Sequence, residues 1–81
     1  MTKTKEQTIP TKLKKYGIKP YSEGSLVSNP FSGDSIELNG TELSIYDLCI
    51  GSEQLGKYDI VRICLDWFRK HNANAYMVLL D

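Results

Sequence analysis

The sequence predicts a small, mainly helical protein: an antiparallel helical hairpin with a short C-terminal helix, preceded by a small β-hairpin or extended segment and a basic N-terminal arm. Apolar residues recur at helical spacing within residues 40–71 and at every second position just before them. At 41% hydrophobic and 25% charged, 81 residues fit one soluble domain with room for a single core.

Charge is unevenly distributed along the chain. Residues 1–25 contain six lysines and two glutamates, a net charge of +4, whereas residues 26–81 contain four basic and eight acidic residues, a net charge of −4. The first 24 residues hold few large apolar side chains, and Pro10 and Pro20 interrupt them. We therefore predict a flexible basic arm over 1–24 and a small helical domain over 25–81.

The stretch "TKLKKYGIKPY" within the arm mixes lysines with aromatic and aliphatic residues. Such a mixture suits contacts to a phosphate backbone and exposed bases. The candidate nucleic-acid-binding residues are Lys12, Lys14, Lys15, Tyr16 and Lys19. The alternatives are a solvated tail, or an arm that docks on the acidic body of its own or a neighbouring copy.

Two short strands are predicted after the arm. "SLVS" and "SIEL" flank "NPFSGD", and Ile36 and Leu38 alternate with polar residues as in a half-buried strand. Asn29, Pro30 and Gly33 supply residues that favour a turn. Because two strands alone are only marginally stable in water, this hairpin has to pack on the helices.

Two longer helices are predicted next. Asn39 is a good N-cap and Glu42, three residues on, completes a capping box, so the first helix begins near Thr41. The second helix runs from about Lys57 to His71. The last segment, "AYMVLLD", fits either a short helix or a third strand, and the sequence leaves this choice open.

An antiparallel turn centred on residues 56 and 57 sets the register of the two helices. It pairs Ile45 with Phe68, Leu48 with Leu65, Cys49 with Cys64, and Ser52 with Val61. Each set has the i, i+3, i+4, i+7 spacing of one helical stripe. We predict that the two cysteines are core neighbours that behave as small apolar residues rather than as a redox pair.

A second apolar stripe remains on each helix outside this interface. Its residues are the candidate partner-binding residues: Leu43, Tyr46, Ile50, Ile60, Ile63 and Trp67. The strands and the C-terminal segment offer few side chains to cover so broad a surface. The pattern therefore favours a protein partner or a second copy of the chain as its cover.

The residue types and motifs in the sequence argue against several classes of function. The sequence has one histidine, no Gly-rich phosphate loop and no Cys-x-x-Cys pair, so we predict neither an enzyme nor a cofactor or metal site. No apolar run approaches the ~20 residues that a membrane helix needs. The N-terminus lacks the apolar region of a signal peptide, so we expect a reducing cytosolic setting.

Two resemblances add expectations. "LGKYDIVRICLDWF" resembles the turn and second helix of a tetratricopeptide unit, although no second copy occurs and bulkier residues replace the usual small ones. "SIYDLCIG", "LDWFRKH" and "YMVLLD" are similar to segments of small proteins of tailed marine bacteriophages, and "TKLKKYG" resembles the basic arms of other short phage proteins. This second resemblance implies a phage origin and a location in the host cytoplasm or virion.

Two classes of function follow from the sequence. The first is a non-enzymatic interaction or virion-structural module that binds a protein partner, or assembles as a homo-oligomer, through the apolar face and the arm. The second is a nucleic-acid-associated protein that contacts phosphates through the arm. The acidic body opposes binding along a duplex and favours the first class. Inhibition of a host enzyme is a variant of it.

Overall fold

A computed structural model describes residues 7–80 of the chain. The helices are α1 (Thr11–Lys14), α2 (Gly40–Gln54), α3 (Tyr58–His71), α4 (Ala73–Ala75) and a C-terminal π-helix (Tyr76–Leu80), and the strands are β1 (Ser25–Ser28) and β2 (Ser35–Leu38). The predicted fold class is confirmed: a small antiparallel hairpin precedes a helical hairpin and a short C-terminal helix. The segment 76–80, left open between helix and strand, is helical.

Helix α2 begins where the sequence predicts, because its capping box is fully formed. Asn39 Oδ1 accepts a hydrogen bond from Glu42 N at 2.8 Å, and Glu42 Oε1 accepts one from Asn39 N at 2.9 Å. These two bonds satisfy backbone donors that the first turn leaves unpaired. Gly56 links α2 to α3 with a φ of +75°, a conformation that costs a glycine little.

The core lies between α2 and α3, as the predicted register requires. Ile45 and Phe68 are fully buried, and so are Cys49 and Cys64, whose thiols lie close enough to shift each other's pKa. The two stripes therefore meet at the predicted level. On the neighbouring hairpin, Leu38 is buried in the same cluster.

Strands β1 and β2 pair antiparallel with Val27 opposite Ile36. Both side chains are half-buried and pack on the core, whereas Leu26 and Glu37, opposite each other on the other face, are exposed. The hairpin thus follows the inward and outward alternation that the sequence predicts. Strand β2 contacts both α2 and the C-terminal π-helix.

The N-terminal segment contributes two residues to the core, although its composition predicts a flexible arm over 1–24. Ile9 is 7% exposed and Leu13 is completely buried, and both belong to the main hydrophobic cluster. Pro10 precedes the short helix α1. Helix α1 turns Leu13 inward, so residues 7–13 are part of the folded unit. The predicted arm residues 1–6 lie outside the described part of the chain.

Candidate interaction surfaces

The apolar face predicted for a partner is largely covered by the chain itself. Ile60 and Trp67 are buried, with exposed fractions of 4% and 5%. The other members are half-buried: Leu43, Tyr46, Ile50 and Ile63. Part of the cover comes from the N-terminal segment, which the sequence interpretation did not count.

The cover over Trp67 comes from residues just before α1. Its indole Nε1 donates a hydrogen bond of 2.9 Å to the carbonyl oxygen of Thr8. Thr8 and Pro10 line a groove with Ile63 and Trp67. The ring of His71 lies 4.7 Å from that of Trp67. A polar bond and apolar contact therefore hold the segment on α3.

A buried carboxylate fixes the same segment at a second point. Glu42 is 5% exposed, and its Oε2 accepts hydrogen bonds from Gln7 Nε2 at 2.8 Å and from Asn72 Nδ2 at 2.9 Å. Asn39 Nδ2 donates to Gln7 Oε1 at 2.8 Å. The Glu42 network thus joins the N-terminal segment, the start of α2 and the α3–α4 junction. Its donors satisfy a carboxylate that would be costly to bury alone.

The two buried cysteines are free thiols between α2 and α3. The hydrogen bond with Cys49 raises the pKa of the Cys64 thiol, and burial raises it further. Because the thiolate is the reactive form, this environment makes Cys64 a poor nucleophile. Within residues 7–80 no group of three or more His, Cys, Asp or Glu side chains could hold a metal ion.

The five residues predicted to bind nucleic acid all lie on the surface, around the buried Leu13. Tyr16 is 42% exposed, and Lys15 Nζ lies 5.5 Å from the centre of its ring. Among the described residues the one ion pair joins Arg69 to Asp66, so no described carboxylate lies within 4.0 Å of these lysines. We name Lys12, Lys14, Lys15, Tyr16 and Lys19 the basic segment.

The most exposed large apolar side chain in the described part of the chain is Phe31, at 97%. It lies in the turn between the strands, residues 29–34, which we name the Phe31 loop. Asn29 Oδ1 accepts hydrogen bonds from the backbone nitrogens of Phe31 at 2.8 Å and Ser32 at 3.3 Å. The loop is therefore ordered by its own first residue, as in an Asx turn.

Further bonds hold the Phe31 loop to the rest of the protein. Asn29 N donates to Asp34 O, and Gly33 N donates to Asn29 O, each at 2.8 Å. Gly33 has a φ of +82°, which favours glycine at this position. Asn29 Nδ2 donates to Val78 O at 2.9 Å and so ties the loop to the C-terminal π-helix.

Sequence reasoning assigned the Phe31 loop a turn and no further role. The available signal was a large aromatic residue in a segment otherwise composed of turn-forming residues. The Glu42 network had only its capping box as a signal, since Gln7 is 35 positions from Glu42 and Asn72 is 30 positions from it.

Comparisons with protein-family models, with curated proteins and with solved structures found no match to this chain. In the part of the chain that the structure describes, no helix has both the length and the apolar character needed to cross a membrane. The proposals below therefore rest on the chain's own residues.

Proposed function

We propose that this chain is a non-enzymatic interaction module that binds a protein partner through the Phe31 loop. The carrying observation is that a phenylalanine with 97% exposure stands on a loop fixed by hydrogen bonds at both ends. This proposal moves the contact surface from the apolar helical face, where Ile60 and Trp67 are buried, to the tip of the β-hairpin.

The energetics favour such a loop as an anchor. An exposed phenyl ring gains apolar burial when a partner encloses it, on the order of 2 kcal/mol. Binding by a mobile loop would lose part of that gain to ordering its backbone. The bonds from Asn29 to Phe31, Ser32 and Val78 order this loop before any partner arrives.

The non-enzymatic part of the proposal rests on the few side chains in the sequence that could act as nucleophile or base. The sequence contains one histidine, His71, and its ring packs against Trp67 in the fold. The cysteines face each other in the core. The phage origin and the virion or host-cytoplasm location belong to the same proposal and rest on the sequence resemblance alone. Inhibition of a host enzyme would be one use of the same contact.

The test compares Phe31→Ala with Leu55→Ala. Leu55 is 73% exposed in the turn between α2 and α3. Leu55→Ala is therefore a matched control, because it also removes exposed apolar surface but at a different site. The partner is identified by co-purification from infected cells, and its affinity is then measured with purified components. We expect Phe31→Ala to weaken binding at least tenfold and Leu55→Ala to leave it unchanged. Equal affinity of the wild type and Phe31→Ala would reject the Phe31 loop.

The exposed lysines favour a second candidate function, binding to nucleic acid through the basic segment. Leu13 anchors the segment, and its lysines are exposed and form no ion pair with a described carboxylate, so they are available to phosphates. Counterion release makes such binding salt-dependent, with log K falling by about 0.9 per phosphate contact for each tenfold rise in salt. Contacts from the lysines of the whole N-terminal region predict a slope of roughly −3 to −5 on duplex DNA.

Substitution within the basic segment tests this candidate better than truncation, because Leu13 belongs to the core. We expect the double variant Lys14→Gln, Lys15→Gln to reduce the magnitude of the salt slope by about 2. The control is Lys57→Gln, Lys70→Gln, which removes the same charge outside the segment and leaves the slope unchanged. If the wild type shows no salt-sensitive binding near 50 mM salt, a low-salt condition that favours phosphate contacts, this candidate is rejected.

A further inference from the structure

The register of the β-hairpin shows which backbone groups lack a partner. Asn29 N donates to Asp34 O, so this pair lies in register with the pairing of Val27 and Ile36. Inward and outward groups alternate along an antiparallel pair. Val27 therefore directs its N–H and C=O towards β2, whereas Leu26 and Ser28 direct theirs away from it. Among the described residues, the one bond to these outward groups is a long one of 3.5 Å from the exposed Ser25 hydroxyl to the Leu26 carbonyl oxygen, and no backbone bond joins Leu26 or Ser28 to another element.

This outer edge of β1 lacks the features that block strand addition. Proteins protect such edges with charged side chains, prolines, bulges or a covering element. Strand β1 is Ser25–Ser28, "SLVS", with no charge and no proline. Leu26 is 63% exposed. Strand β2 differs, because it carries the exposed Glu37 and contacts α2 and the C-terminal π-helix.

We propose that β1 pairs antiparallel with β1 of a second copy, about a two-fold axis at Leu26, to form a four-stranded sheet. This goes beyond the proposed function, because it concerns the outer edge of β1 and is tested independently of the partner of the Phe31 loop. The outward groups of Leu26 bond to those of Leu26 in the second copy. The antiparallel alignment lays the Phe31 loop beside the start of the other copy's β1.

The chemistry of the edge favours a copy of itself over a charged peptide. On a two-fold axis, the two Leu26 side chains lie on the same face at directly opposed positions, where apolar pairs stabilise a sheet. The edge has no charge to repel its copy, and the chain as a whole has a net charge of zero. Pairing also extends a two-stranded sheet to the strand number at which sheets become stable.

The test exploits the symmetry of the proposed contact. In a Glu37→Gln background, which removes the charge directly opposite Leu26, Leu26→Lys places two lysines opposite each other and Leu26→Glu places two glutamates opposite each other, so each variant alone is expected to be monomeric. An equimolar mixture of the two variants restores a dimer, because lysine then faces glutamate. Leu55→Lys, the same change at an exposed site outside the hairpin, leaves the wild-type dimer intact.

Sedimentation equilibrium from about 10 µM to about 1 mM protein covers the affinity expected for so small an interface. Amide hydrogen exchange gives an independent readout over the same range. Protection of the Leu26 and Ser28 amides should rise with concentration, while Val27, whose amide faces β2, stays protected throughout. Circular dichroism of each variant checks that loss of the dimer is not loss of the fold.

A wild type that stays monomeric throughout, or a mixture of the Leu26 variants that does not dimerise, would overturn the proposal. These outcomes differ from failure of the proposed function. If the wild type is monomeric but Phe31→Ala still loses a purified partner, the Phe31 loop retains its role and only the β1 pairing is rejected. If Leu26→Lys dimerises as the wild type does, the copies associate elsewhere and the β1 pairing is again rejected.

Discussion

The indole Nε1 of Trp67 donates a 2.9 Å hydrogen bond to the carbonyl oxygen of Thr8, across 59 positions of sequence. This bond joins α3, the more strongly amphipathic of the two long helices, to a segment whose composition indicates a solvated arm. It also explains how so small a chain covers an α3 that is apolar over much of its circumference. The chain's own N-terminal segment covers α3 at Trp67, beside the contacts that α3 makes with α2 and the C-terminal helices.

Replacement of Trp67 tests whether this cover stabilises the monomer. Trp67→Ala removes a 95% buried aromatic side chain, so we expect a loss of about 3 to 5 kcal/mol in the free energy of unfolding. A loss of that size unfolds a domain of ordinary stability. Urea unfolding followed by circular dichroism measures it. A folded monomer of wild-type stability would show that the N-terminal cover contributes little.

Trp67→Phe separates the hydrogen bond from the apolar contact. It keeps an aromatic ring in the site and removes the Nε1–H donor, while the exposed Thr8 can bond to water instead. We expect a smaller loss, about 1 to 2 kcal/mol. If Trp67→Phe lost as much stability as Trp67→Ala, the apolar contact of the ring would contribute nothing beyond the hydrogen bond, contrary to this expectation.

The N-terminal segment offers a second test at Leu13, which is completely buried. Leu13→Ala leaves a cavity in the core and should lower the free energy of unfolding by about 2 to 5 kcal/mol. Lys12→Ala is the matched control, since the neighbouring Lys12 is exposed and its loss should change stability by less than about 0.5 kcal/mol. Equal stability of the two variants would show that the segment is a dispensable arm.

The helical hairpin could be predicted because its signals are local or periodic. Asn39 and Glu42 mark the start of α2 three residues apart, and the facing stripes bring Cys49 to Cys64. The docking of the N-terminal segment could not be predicted from such signals. Its two core residues, Ile9 and Leu13, stand among lysines, and their burial depends on surfaces that only the folded chain brings together.

The candidate site shows the same division. The residues of the basic segment lie on the surface as the sequence indicates, because lysines keep their charges in water wherever the backbone runs. The sequence could not show what covers the apolar face, because apolar residues give no sign of whether the chain or a partner buries them. In the structure Ile60 and Trp67 are buried within the chain. Phe31 became a candidate only when its exposure and the bonds around Asn29 were visible.

The Glu42 network predicts a cost for removing its charge. Glu42→Gln replaces one acceptor oxygen by an amide nitrogen that faces the donors of Asn39, Gln7 or Asn72. We expect a loss of about 1 to 3 kcal/mol in the free energy of unfolding, because a buried donor is left unpaired. Glu53→Gln, at an exposed position of α2, is the control and should have little effect. Similar stability of the two variants would contradict the network.

The cysteines predict a slow reaction with thiol reagents. Cys49 is 1% exposed and Cys64 is completely buried, and the hydrogen bond between them, with burial, raises the pKa of Cys64. Both should react slowly in the native protein and fast in denaturant. Labelling followed by mass spectrometry distinguishes the two positions. Fast native labelling of both would contradict the facing register of α2 and α3.

The last prediction concerns the pH dependence of a bond that holds the segment before β1. The phenol of Tyr21 donates to Asp47 Oδ2 at 2.7 Å, and this bond, with the charge of Asp47, raises the pKa of Tyr21 above its ordinary value of 10.0. A pKa raised by folding means that the bond contributes fully below pH 10 and is lost as the pH rises through the folded-state pKa.

Stability curves of the wild type and Tyr21→Phe from neutral pH upwards measure this directly. The wild type should be slightly more stable at neutral pH, by an amount typical of an exposed hydrogen bond. The difference should shrink at alkaline pH, because the wild-type phenol then loses its proton beside a carboxylate. Tyr58→Phe removes an exposed phenol on α3 and serves as the control. A difference that does not change with pH would show that the bond to Asp47 does not form in solution.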